Sequence, residues 1–264
     1  MRSPIDVSIA RCSVAFAALL SLAAAGCDSR RGSPSDRADA SLAELCEVHK
    51  TDKCSVYVDE GGAETAGHDY VEVYELFFAP IRHQAERVFE IGVLYGDSMR
   101  LWEAYFPNAK IFGIDIEDTS EHDTDRITTF VADQSDREQL GRFIETHGGD
   151  FDIVIDDGGH SMEQQQVSFG YLFPFVRPGG YYVIEDIHTS FFDPAVPGFG
   201  VEKDRQNTTF TMIHRSVLTG SFRSRYLSEG EMAYLDRHVD HCLYWYRFKA
   251  QSDLFLCRKK GGDR

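Results

Sequence analysis

Between residues 87 and 184, short and almost wholly apolar runs alternate with amphipathic segments of helical length. Few folds accommodate that pattern. RVFEI at 87–91, KIFGI at 110–114, residues 128–131, FDIVI at 151–155 and YYVI at 181–184 each read as a strand. Residues 97–106, 137–146 and 162–176 read as the intervening helices, the first with Leu101, Trp102 and Tyr105 on one face. Residues 70–81 form a further amphipathic helix ahead of the first strand, carrying Val73, Leu76, Phe77 and Pro80. Strands without polar alternation are buried on both faces, and helices between them supply the cover. The expectation is an α/β, Rossmann-like, mostly parallel sheet. Pro178-Gly179-Gly180 ends the helix begun at residue 162. Residues 207–218 read as a helix beyond an irregular stretch. Residues 241–248 and 253–258 read as two strands around a short polar turn. They complete seven strands with a C-terminal antiparallel hairpin.

The chain has 264 residues, 42% of them hydrophobic, enough for one α/β domain with a full core. Its net charge of −16 gives nothing towards neutralising phosphates, which excludes DNA or RNA as the natural partner. The same acidity suits a small-molecule or a metal site.

The first forty residues differ from the rest. Arg2 and Arg11 precede an apolar run at 12–25, too short to span a bilayer but of the length of a signal-peptide core. It ends in Ala24-Ala25-Gly26-Cys27, which resembles a lipobox, so Cys27 is expected to be lipidated and to attach the protein to a membrane. The division is then a lipoprotein signal at 1–27, a polar tether at 28–40 and one domain at 41–264. The alternative is a misassigned start, a domain beginning near Ser41 and a cytoplasmic location. Export would leave Cys46, Cys54, Cys242 and Cys257, whose three possible pairings and free-thiol state all stay open. A cross-strand bond between Cys242 and Cys257, near opposite ends of the terminal hairpin, and a small loop closed by Cys46 and Cys54 are the pairings expected.

The polar residues gather at the carboxyl ends of the predicted strands, where open α/β sheets bind ligands. Glu90-Ile91-Gly92-Val93-Leu94-Tyr95-Gly96-Asp97-Ser98 follows the first strand and opens a helix. Gly92 and Gly96 allow a tight turn and close backbone approach. The GxGxxG spacing of a pyrophosphate site is absent, which points to a cofactor without phosphate. Asp115 ends the second strand and can accept both hydroxyls of a ribose; Asp133-Gln134 follows the third, where an adenine would lie. Asp156-Asp157-Gly158-Gly159-His160 ends the fourth strand and Glu185-Asp186 the fifth. Carboxylates converging there repel and raise one another's pKa unless a cation joins them. Oxygen ligands favour Mg²⁺ or another hard divalent ion. His160 is then placed to take a proton from a hydroxyl. His188, Thr189 and Ser190 follow the second acid pair and are candidates for lining a substrate pocket.

IDDGGHSMEQQQVSFGYLFPFVRPGGYYVIEDIHTSF at 155–191 resembles the metal-dependent sugar O-methyltransferases of macrolide biosynthesis. So do TDK at 51–53, HDYVEVYE at 68–75, EIGVLYGDSMRLWEAYFPNAKIFGIDI at 90–116 and ADQSD at 132–136. The resemblance implies a class I methyltransferase fold and S-adenosylmethionine as methyl donor. It implies Mg²⁺ held by Asp157, Glu185 and Asp186, with His160 as general base. Glu90, Gly92, Ser98, Asp115, Asp133, Gln134 and Asp156 would surround S-adenosylmethionine, and Tyr70 and Tyr74 would help close the pocket. Two departures are an insertion at 55–66 and Gly159 in place of a serine. The implied reaction is methylation of a hydroxyl on a sugar, glycoside or other small molecule, in a protein that could form homo-oligomers. Two alternatives stand beside it: a non-catalytic ligand-binding lipoprotein on the same fold, and a cephalosporin-hydroxylase-like enzyme.

Overall fold

The computed structural model describes residues 39–58, 61–248 and 252–262. The expected signal and lipobox at Cys27, nearly all of the expected tether and most of the terminal turn lie outside the described residues. In chain order the elements are α1 (Leu42–His49), β1 (Val56–Val58), β2 (Glu64–Ala66), α2 (Val71–Phe78), β3 (Arg87–Ile91), α3 (Asp97–Tyr105), β4 (Lys110–Asp115) and β5 (Ile127–Val131). There follow α4 (Arg137–His147), β6 (Phe151–Asp156), α5 (Met162–Leu172), β7 (Val176–Ile184), α6 (Thr209–Thr219), α7 (Glu229–His238), β8 (Val239–Arg247) and β9 (Ser252–Lys259). The main sheet runs β5-β4-β3-β6-β7-β9-β8, with β9 antiparallel to both β7 and β8 and the other pairings parallel. The expected seven-stranded order of events along the chain is what the molecule builds.

Alternation along each strand divides the core. Val88, Ile111, Ile153, Ile155, Val183, Leu254 and Leu256 face α1, α2 and α3, where Tyr74, Phe78, Leu101 and Trp102 meet them. Phe89, Phe112, Val154, Tyr182, Ile184 and Phe255 face the other way, onto Phe143, Phe169, Ile213 and Leu235 of α4 to α7. Both layers are buried, so the strands need no polar face, and this is why they read as continuous apolar runs. Phe89 stacks on Phe143 at 4.6 Å between ring centres, within the range of favourable aromatic pairs.

Two local expectations are corrected, and the insertion acquires a structure. The helix predicted over 162–176 ends at Leu172, a 3-10 turn with Pro174 follows, and β7 already begins at Val176. Proline cannot donate the main-chain bond that would continue the helix. The insertion at 55–66 carries the two-stranded ribbon β1–β2, paired from Val56↔Ala66 to Val58↔Glu64. Cys242 and Cys257 are not at opposite ends of the terminal hairpin: they face one another across β8 and β9, and the register brings their Cα atoms to 4.0 Å. Both sulfur bridges form, Cys242–Cys257 and Cys46–Cys54. Among the described residues, no helix is long and apolar enough to cross a membrane.

Candidate active site

The chain leaves β3 towards β4 on one side and reaches β6 on the other, so the carboxyl ends of β3 and β6 bound a crevice at a topological switch point. Gly92 turns there with φ +89°, and a Cβ on it would meet the carbonyl oxygen of Asp157 at 2.1 Å. The two loops are tied by Asp157 N donating to Ile91 O at 2.9 Å. The cleft above them has a volume of about 510 Å³. Gly92, Ser98, Asp115, Asp133, Gln134, Asp157 and His160 line it. Tyr57 and Val58 of the inserted ribbon line it too, which sequence reasoning missed because the insertion had no counterpart to read it against.

Asp115 is the fixed acid of this cleft. Its Oδ2 accepts from the main-chain N–H groups of Val93 and Leu94 at 2.8 and 3.0 Å, and its Oδ1 from Glu117 at 3.1 Å. Burial pushes its pKa up, but these amides, Leu94 first, outweigh it and hold the carboxyl below its ordinary value. The carboxylate thus organises the glycine loop at the edge of the cleft. Asp133 is bonded locally to Ser135 N and Oγ at 2.8 and 2.7 Å. Gln134 locks the loop after β6, with its Oε1 accepting from Gly159 N at 2.8 Å and its Nε2 donating to Asp156 at 2.9 Å.

Two residues expected around the cofactor are turned away from the cleft. Glu90 and Asp156 are fully buried beneath it. Strand alternation sends Glu90 towards α3, where Ser98 Oγ and Trp102 Nε1 donate to it at 2.8 and 3.0 Å. Burial, with the nearby Asp157 adding to it against Lys53, raises the Glu90 pKa to about 7. Asp156 points towards α5 and accepts from Ser168 as well as Gln134. Burial lifts its pKa from 3.8 to about 6 against those two hydrogen bonds. The folded form therefore holds a proton that the unfolded chain has lost. This favours folding below about pH 4 and is lost as pH rises to about 6. Asp156→Asn is expected to gain up to about 3 kcal/mol of stability above pH 6 and nothing below pH 4, as the pKa difference requires. Urea melts in EDTA across that range would show it; equal stability of both proteins at pH 7 would refute it.

The second acid pair opens the other side of the site. Tyr70 and Tyr74 are fully buried and do not close the cleft; each holds an acid. The Tyr70 hydroxyl donates to Asp186 Oδ1 at 2.6 Å, and the Tyr74 hydroxyl donates to Glu185. Thr189 and Ser190 are buried structural residues: Thr189 Oγ1 donates to the carbonyls of His160 and Asp186 at 3.0 and 2.9 Å, and Ser190 Oγ accepts from Phe210 N. His188 does face Asp186, at 3.9 Å, and lies 3.3 Å from Asp253. Burial lowers its pKa, but Asp253 and Asp186 outweigh this and raise it.

The expected metal ligands Asp157, Glu185 and Asp186 fall into two groups. Asp157, His160 and Asp186 offer ligand atoms within 4.8 Å of one another, a set able to hold a metal ion. His160 Nε2 lies 3.5 Å from Asp186 and 3.9 Å from Asp157. Its Nδ1 is buried without a hydrogen-bond partner among the described residues. His160 and Asp186 both have left-handed backbone, φ +56° and +54°, a conformation that side chains other than glycine adopt at some cost. Glu185 is instead turned inward, onto Tyr74 and the Lys53 ammonium at 3.0 Å. Burial and Asp157 raise the Glu185 pKa well above the ordinary carboxylate value. Burial also raises that of Asp157; for Asp186, burial is outweighed by His160, His68 and Tyr70, and the pKa is lowered.

No family model matches the chain. It is 43% identical over 153 residues to mycinamicin VI 2''-O-methyltransferase of Micromonospora griseorubida, covering 55% of this chain and 37% of the relative. It is 39% identical over 183 residues to demethylmacrocin O-methyltransferase of Streptomyces fradiae, covering 65% and 45%. The chain thus spans less than half the length of these two relatives. A solved mycinamycin-pathway methyltransferase in complex with Mg, SAH and mycinamycin VI superposes with a TM-score of 0.67 at 31% identity, over 84% of this chain and 55% of that one. The switch-point cleft, the acids at its strand ends and these likenesses together make this chain a homologue of the macrolide and sugar O-methyltransferases, with the class I S-adenosylmethionine-dependent methyltransferase fold.

Proposed function

We propose that the protein transfers a methyl group from S-adenosylmethionine to a hydroxyl of a sugar, glycoside or other small molecule, with a divalent cation beside the reacting oxygen. The observation that carries this reading is the juxtaposition of the Asp157–His160–Asp186 group with a cleft organised by Asp115. Two carboxylates and an imidazole are a donor set for a divalent ion. Asp157 and Asp186 would hold Mg²⁺, and Glu185 lies behind them. The ion supplies positive charge that lowers the pKa of the acceptor hydroxyl. S-adenosylmethionine supplies the electrophilic methyl, whose bond to sulfur breaks as the acceptor oxygen bonds to carbon.

The chain's own residues do the rest. Asp115 accepts the ribose hydroxyls, while Gln134 and Gly92 keep the loops of the cleft in register. His160 Nε2 faces Asp186 at 3.5 Å and Asp157 at 3.9 Å, both longer than an ordinary hydrogen bond, and is the atom that would receive the acceptor's proton. Holding both reactants in one cleft supplies alignment, worth several kcal/mol in oriented reactions (about 7–11 at the limit). Calorimetric titration of S-adenosylmethionine with and without Mg²⁺ tests the reading, and absence of binding in both would overturn it. In the same assay Asp115→Ala is expected to weaken binding roughly 10 to 150-fold, the loss of a hydrogen bond to a charged group. An unchanged dissociation constant would mean that the cofactor lies elsewhere.

A further inference from the structure

Lys53 is fully buried and brings one ammonium into the middle of the acids. Its Nζ pairs with Asp157, with Glu185 at 3.0 Å and with Glu90 at 3.2 Å. Burial disfavours this charge, but Asp157, Glu185 and Glu90 outweigh burial and keep the amine charged. Three carboxylates, at or just beyond the carboxyl ends of three strands, thus share one ammonium. That side chain stands in an irregular segment: residues 51–55 belong to no helix or strand.

Two sets of ties hold the segment. Main-chain bonds join it to the residues before and at the start of α2, among them His68 N to Asp52 O at 2.7 Å and Val71 N to Lys53 O at 3.2 Å. On the other side Cys54, next to Lys53, is bonded to Cys46 of α1, with 5.8 Å between Cα atoms. α1 is anchored in turn by Leu42 and Leu45, buried against the core, and by Leu42 N donating to Glu75 at 2.7 Å. Cys46 is half-buried and Cys54 buried.

We propose that Lys53 is a positioning residue for the acid cluster and that the Cys46–Cys54 disulfide holds it in place, so that cation affinity at Asp157 and Asp186 follows the oxidation state of that bond. The inference rests on the proposed cation site. A dithiol reductant delivers two electrons and two protons: the sulfur–sulfur bond breaks, two thiols form, and the reductant closes its own disulfide. Lys53 then loses its tie to α1 and keeps only the main-chain ties, so that its hold on Asp157 slackens. Residues behind a metal ligand typically set 10 to 100-fold in affinity.

The test is calorimetric titration with Mn²⁺ at a temperature well below the melting transition. It compares the wild type, Cys46→Ser/Cys54→Ser, Cys242→Ser/Cys257→Ser and Lys53→Met. The hairpin variant removes a disulfide as well, on the β8–β9 edge, and controls for general loss of stability. The expected result is about 10-fold weaker Mn²⁺ binding in Cys46→Ser/Cys54→Ser, and unchanged binding in the hairpin variant until dithiothreitol is added. Lys53→Met, if it folds, is expected to lose more than the cysteine pair. Equal Mn²⁺ affinity in the two cysteine variants would overturn this inference alone. A wild type that binds no Mn²⁺ would overturn the cation site itself, and this inference with it.

Discussion

Replacing Asp186 by asparagine is expected to lower turnover and divalent-cation affinity more than about 100-fold, beyond the range found for residues that only support a metal ligand. The carboxylate is one of two in the candidate cation group, and its Oδ2 lies 3.5 Å from His160. Asparagine is the informative change. It tolerates the left-handed backbone at φ +54° better than alanine does. Its amide oxygen can still accept from Tyr70, so the buried hydroxyl is not left unpaired at a cost of about 1–3 kcal/mol. Folding should therefore be spared while the charge is lost. Metal titration and initial rates, each set beside a thermal melt, separate the two effects. Full activity of the wild type in EDTA, or of Asp186→Asn with Mg²⁺, would remove the cation from the reaction.

His160→Ala is expected to reduce turnover by about 10² to 10⁴-fold, the usual contribution of a general base. Cofactor affinity should stay close to that of the wild type, because the ring belongs to the group with Asp157 and Asp186, whereas the proposed ribose contact is Asp115. The geometry leaves His160 one competing role, since Asp157, His160 and Asp186 together could hold the ion. The variant decides between them. A base can be lost with cation affinity retained; a ligand cannot. Turnover that falls in step with cation affinity would make His160 a ligand, and unaffected turnover would give it no part in the chemistry.

Much of this site was legible along the chain because its determinants are local. A strand buried on both faces must be apolar throughout, so the alternation of apolar runs with amphipathic segments specified the sheet and its helices. Ligands bind where the parallel strands end, so Gly92, Asp115, Asp133, Asp157 and Asp186 could be assigned to one end of the molecule from strand boundaries alone. Even the inward turn of Glu90 was available in principle. Residues two apart share a face, and Val88 belongs to the layer packed on α1 to α3.

Tertiary structure decided which acid meets which partner. Lys53 reaches Asp157 and Glu185 across 104 and 132 residues, through a pairing that depends on how an irregular segment packs against strand ends. No periodicity records such a contact. The same holds for the ribbon β1–β2 that places Tyr57 and Val58 on the cleft, and for Tyr70 and Tyr74, whose helical spacing marks them as apolar core while their hydroxyls hold Asp186 and Glu185. Cysteine count permitted three pairings. The register of β8 on β9 brought Cys242 opposite Cys257, and the packing of α1 brought Cys46 to Cys54. Local sequence set each element and the end of the sheet where polar residues collect. The division of the acids between a buried ammonium and an open cation group came from side chains meeting across the sheet, where distance along the chain carries no information.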